Sequence, residues 1–149
     1  MTVVQQLEGG STQQLAASSP CIGVCSVTVG DNVCRGCFRT MDDISVWSHI
    51  TAAQRQDRLS RRQALLEASF QDYFVLLDSE RLRQQWTKYI NQPPEPTFAI
   101  EAWVHLLHKG AHKIQNPEAY GVRVLSQWAD QPLRRVWRTW RDQLLAELG

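Results

Sequence analysis

The stretch Cys21-Ile22-Gly23-Val24-Cys25, followed after eight residues by Cys34-Arg35-Gly36-Cys37-Phe38-Arg39-Thr40, contains all four cysteines of a 149-residue chain. The spacing is Cys-x3-Cys, eight residues, Cys-x2-Cys. Four thiolates close a tetrahedral metal shell, and Gly36 inside the second pair permits the tight turn that brings two of them together. A segment of about twenty residues buries too little to hold a fold, whereas structural zinc contributes about 10–16 kcal/mol in small peptides. The expectation is one metal centre on Cys21, Cys25, Cys34 and Cys37, with this region unfolding when one thiolate is lost. Val27, Val29 and Val33 around Gly30-Asp31-Asn32 read as a small hairpin between the two pairs. Two readings compete: ordinary core thiols, and a redox pair at Cys34-Arg35-Gly36-Cys37 in which Arg35 lowers a thiol pKa. The clustering argues against the first, and the absence of a βαβ pattern argues against the second.

Upstream, residues 1–18 are rich in Gln, Ser, Gly and Ala and read as a flexible tail. They show neither the basic start nor the long apolar run of a signal peptide, and no apolar stretch is long enough to span a bilayer. A cytoplasmic protein is expected, without a membrane partner, in a reducing compartment where clustered cysteines serve as ligands rather than disulfides. Sixteen basic against fifteen acidic residues leave a net charge of +1. No global field therefore draws the molecule to nucleic acid, and any such binding has to be local.

Downstream the pattern is helical. Thr40 and Asp43 have capping-box spacing ahead of Ile44, Trp47 and Ile50, and Thr51 marks a second start. The next helix is expected over about Ala52 to Ala68, with Arg55, Arg58, Arg61 and Arg62 exposed and Leu59, Leu65 and Leu66 inward. Phe70, Tyr73 and Phe74 introduce a new core. Ser79 caps a helix carrying Leu82, Trp86, Tyr89 and Ile90, which stops at the breaker Asn91-Gln92-Pro93-Pro94-Glu95-Pro96. Thr97 caps another, with Ile100, Trp103, Val104 and Leu107 on one face, and Gly110 ends it. Asn116-Pro117 opens a helix with Tyr120, Val124, Leu125 and Trp128 as its stripe, and Asp130 and Pro132 repeat the device before Leu133, Val136, Trp137, Trp140, Leu144 and Leu148. The expected fold is mainly α: a tail over residues 1–18, a four-cysteine metal knuckle with its following helices over 19–65, and a helical bundle over 66–149.

Ser19-Pro20-Cys21-Ile22-Gly23-Val24-Cys25, then Cys34-Arg35-Gly36-Cys37-Phe38-Arg39-Thr40, then Asp43-Ile44 and Trp47 follow one another in order. Over about Ser19 to Arg62 this resembles the bacterial domain-of-unknown-function (DUF) family 1289. The resemblance implies a short cysteine module followed by a helix, usually described as a predicted iron-sulfur protein, and it implies no substrate or reaction. Phe38 stands where that family commonly has glycine, and Asp43 where a glutamate-like residue is common; neither change removes a ligand. The cysteine spacing differs from ferredoxin runs and also from the longer loop of a zinc ribbon, so zinc and an iron-sulfur cluster both remain open. The base rate of closed four-cysteine structural sites favours zinc.

Two further groups carry chemistry-bearing residues. Glu101, His105 and His108 share a helix face that would suit a second metal, yet it lies opposite Ile100, Trp103 and Leu107 and reads as a solvated polar surface. Arg134, Arg138 and Arg141 form a stripe beside Trp137 and Trp140, the mixture used on single-stranded nucleic acid, although periodicity assigns both tryptophans to the core. No catalytic triad order, phosphate-cradling glycine loop or paired catalytic carboxylate can be placed, so enzyme activity is the least supported class. The sequence thus points to a metal-binding, non-enzymatic binding or regulatory protein with an unidentified protein partner. An iron-sulfur redox or sensor protein and a nucleic-acid binder are the alternatives.

Overall fold

The computed structural model describes residues 33–34, 37–90, 96 and 98–148. The expected tail over 1–18, the Gly30-Asp31-Asn32 turn, the breaker over 91–95 and the Thr97 cap lie outside the described residues. The chain is mainly helical and divides into two units, Met1–Gln63 with Pro93–Glu95, and Ala64–Gln92 with Pro96–Gly149. Among the described residues no helix is long and apolar enough to cross a membrane.

In the first unit, α1 (Met41–Val46) begins at the expected capping box. The Asp43 amide donates to Thr40 Oγ1 at 3.0 Å, and the Thr40 amide donates to the Asp43 carboxylate at 3.4 Å. The helix tightens into a 3-10 turn at Trp47–His49. Thr51 and Gln54 then form a reciprocal pair of their own, at 3.1 and 2.8 Å, and α2 (Ala52–Phe70) starts afresh, running two residues past the expected end, with its residues from Ala64 onward belonging to the second unit. Of the four arginines expected on exposed faces, only Arg61 is fully exposed. Arg55 and Arg58 are partly buried and Arg62 is 6% exposed, because their guanidinium groups turn back to carbonyls and carboxylates of the preceding segment while the apolar stems lie along the protein.

In the second unit, Phe70, Tyr73 and Phe74 do introduce a core, and part of it is a strand. β1 (Phe74–Leu76) pairs antiparallel with β2 (Val122–Val124), with Phe74 opposite Val124 and Leu76 opposite Val122. The helix expected from Asn116-Pro117 to Trp128 is corrected accordingly. Asn116 caps and Pro117 opens a single 3-10 turn, Pro117–Tyr120, which Gly121 ends at φ 85°. The Gly121 carbonyl accepts from the amides of Leu77 and Asp78 at 2.8 and 3.1 Å, an approach that a side chain would obstruct. Val122 and Val124, β-branched, suit the extended pair that follows. α3 (Ser79–Tyr89) is capped one residue earlier than expected, by Asp78, whose carboxylate accepts from the Arg81 amide at 3.1 Å. α4 (Ala99–Gly110) follows Phe98, which provides no side-chain cap, and is buried all round from Ile100 to Leu107. α5 (Leu133–Leu148) turns Val136, Trp137, Trp140 and Leu144 inward, as its periodicity predicts. The Phe74 ring lies 5.3 to 5.7 Å, centroid to centroid, from Phe70, Trp103 and Trp140. The Trp140 indole N–H donates to Ser69 Oγ at 2.8 Å.

Candidate metal centre

Cys34 and Cys37 come together in the first unit through backbone bonds rather than through a helix. Val33 bridges Thr40 in antiparallel fashion, the Cys34 amide donates to the Arg39 carbonyl, and the Phe38 amide donates to the Cys34 carbonyl, both at 2.8 Å. The turn closes with Phe38 in the left-handed region at φ 59°. A glycine would reach that conformation without steric cost, so Phe38 holds a backbone that its side chain disfavours.

Both thiols are buried, hydrogen-bond to one another and are not joined by a disulfide. The neighbouring Cys34 thiol, and after it burial, push the Cys37 thiol far above its ordinary range, against the Arg39 guanidinium, which pulls it down. Paired buried thiols ionise only when positive charge compensates them. Arg39 supplies part of it, donating from Nε to Cys37 Sγ at 3.4 Å while its guanidinium lies 5.0 Å from the centre of the Trp47 ring. From α2, Arg62 donates from Nε to the Cys37 carbonyl, and Arg55 donates from Nε to the Trp47 carbonyl at 2.7 Å. Arg58 pairs with Asp43 at the start of α1. A metal cation would complete the compensation, so this donor pair and its surroundings fit a thiolate-bound metal. Cys21 and Cys25 lie outside the described residues.

Spacing alone led to the cysteines but not to their supporting shell. Arg39 and Trp47 belong to the motif that carries the family resemblance, and their proximity to the thiols could have been suspected from it. Arg62 carried no such signal.

Residues 19–65 match the model of a family described as protein of unknown function (DUF1289). This DUF1289 segment holds all four cysteines, Arg39, Trp47 and Arg62. No curated protein and no solved structure matches the chain.

The other candidate groups lie in the second unit. Glu101 and His105 are 6% and 5% exposed, which corrects the expectation of a solvated polar face: α4 is enclosed on that side too. The Trp86 indole N–H donates to His105 Nδ1 at 2.9 Å. An indole nitrogen can only donate, so the imidazole carries its proton on Nε2, which faces Glu101 Oε2 at 3.9 Å. Among the described residues no three His, Cys, Asp or Glu side chains are grouped to hold a metal, so Glu101, His105 and His108 do not form such a site. Arg134 and Arg138 are exposed and Arg141 is partly buried along α5, while Trp137 and Trp140 belong to the core, with ring centroids 5.7 Å apart.

Proposed function

We propose that Cys21, Cys25, Cys34 and Cys37 hold one structural metal centre and that the protein is a non-enzymatic binding or regulatory protein. In this reading the metal-supported module presents its surface to a protein partner. The observation that carries it is the pair of buried, mutually hydrogen-bonded thiols at Cys34 and Cys37 under the Arg39 guanidinium. Four thiolates saturate a tetrahedral shell and leave no position for substrate, which makes the site structural rather than catalytic. Zinc is the proposed metal on the base rate of such closed sites. Thiolate ligands need a reducing compartment, so the proposed location is the cytoplasm.

The test is elemental analysis with an ultraviolet-visible spectrum on untagged protein purified without oxygen, beside a Cys34→Ser variant. One zinc per chain with no visible absorption, lost in the variant, is expected. Iron with acid-labile sulfide and a brown chromophore would replace zinc by a cluster and make redox chemistry or sensing the working function. Wild-type protein without any metal would overturn the proposal.

A further inference from the structure

Within the second unit the end of α4 and its following turn face α5 across a cleft of about 330 Å³. His108, Lys109 and His112 border it on one side, and Arg134, Arg138 and Arg141 on the other, with no carboxylate in the lining. Beside Arg141, Asp142 Oδ1 lies 3.8 Å from Nε, too far for a hydrogen bond. Arg141 Nε is buried and has no hydrogen-bond partner among the described residues. Lys109 is partly engaged, donating to the Tyr89 carbonyl at 2.8 Å. Arg134 and Arg138 make no ion pair among the described residues. Collecting permanent cations around one concavity costs mutual repulsion, and leaving a buried N–H unsatisfied adds to that cost. An anionic ligand with several oxygen acceptors would offset the repulsion among the cations.

Helix geometry spaces Arg134, Arg138 and Arg141 about 6 Å and then about 4.5 Å apart along the α5 axis, a ladder suited to successive phosphoryl groups. The cleft shares His112 and Arg134 with a second recess of about 500 Å³. Ile114, Pro117, Pro132 and Leu133 line that recess together with Gln115 and Gln131. Apolar walls with a few amide donors and acceptors suit a flat heterocycle. A single nucleic-acid strand fits less well, since Trp137 is 6% exposed and Trp140 fully buried, leaving neither ring as a stacking platform. We propose that the two recesses form one site for a nucleotide-type organic phosphate, with the phosphates along the arginines and the heterocycle between the glutamines. This site is independent of the cysteine centre.

Isothermal titration of the full chain with adenosine diphosphate, pyrophosphate and a fifteen-residue oligothymidylate tests it. Adenosine diphosphate is expected to bind more tightly than pyrophosphate, with affinity falling as salt rises. An Arg134→Glu/Arg138→Glu variant, changed at two exposed side chains, should lose at least about tenfold for both ligands. Ala129→Trp, which fills the second recess, should reduce adenosine diphosphate to the level of pyrophosphate. If circular dichroism shows the double variant misfolded, Arg138→Gln serves in its place, with a smaller loss expected. Adenosine diphosphate binding that is absent, or equal in wild type and charge variants, overturns the proposal. So does oligothymidylate binding that exceeds adenosine diphosphate binding and strengthens with strand length, which would make the cleft a strand-binding surface.

Discussion

Phe38 sets a strained backbone against a buried ring: its φ is 59° while the side chain is 1% exposed. Left-handed backbone costs a non-glycine residue about 1–2 kcal/mol, whereas truncating a buried phenylalanine costs about 3–5 kcal/mol. Burial wins, so Phe38→Gly is predicted to destabilise the first unit despite relieving the strain, as a urea titration would show; a more stable variant would mean that the ring contributes little packing. Arg39 acts through the thiol it touches. If the cysteines hold metal, Arg39→Ala should weaken metal retention by about 10–100-fold in competition with a chelator, the usual effect of losing a group that supports a ligand. Unchanged retention would make the N–H to sulfur contact incidental. The pairing of Cys34 with Cys37 was legible in the sequence because their Cys-x2-Cys spacing is local. Arg62 was not, because an arginine on an amphipathic helix reads as solvated until a carbonyl 25 residues away is known to receive it.

Gly121 separates a 3-10 turn from β2 and lies against the start of α3. An alanine there would place its Cβ 2.4 Å from the Asp78 carbonyl oxygen at a left-handed φ. Gly121→Ala is therefore predicted to cost more than the about 1–2 kcal/mol of the backbone conformation alone and to lower the melting temperature of the second unit by several degrees. Melting within a degree of wild type would show that the turn at Gly121 shifts without penalty. The capped starts of α1 and α2 were readable because capping boxes are local bonds between residues three apart. The β1–β2 pair was not readable. Three-residue strands are too short to show alternation, and Tyr120, Val124, Leu125 and Trp128 mimic helical spacing. Pairing with Phe74–Leu76, more than forty residues upstream, overrode that local pattern.

If the cysteines hold metal as proposed, the two units hold themselves together by different means and should come apart separately. The second has an aromatic core around Phe74, Trp103 and Trp140, while the first would depend on the proposed metal centre. Removing metal with a chelator should expose the amides of Cys34 and Phe38 to hydrogen exchange and leave those of Trp103 and Trp140 protected. Simultaneous loss of protection in both units would show that they unfold as one. Composition and periodicity were enough to establish a mainly helical chain and the inward face of α5, and the resemblance of its cysteine motifs pointed to the DUF1289 match, because each depends on residues close together in sequence. Only the tertiary structure turned Phe74–Leu76 and Val122–Val124 into a sheet, enclosed Glu101 and His105, and drew the α5 arginines into one cleft with His108, Lys109 and His112. Those outcomes depend on which surfaces meet across long stretches of chain, and such meetings are decided by burial and hydrogen bonding between distant segments that no local pattern records.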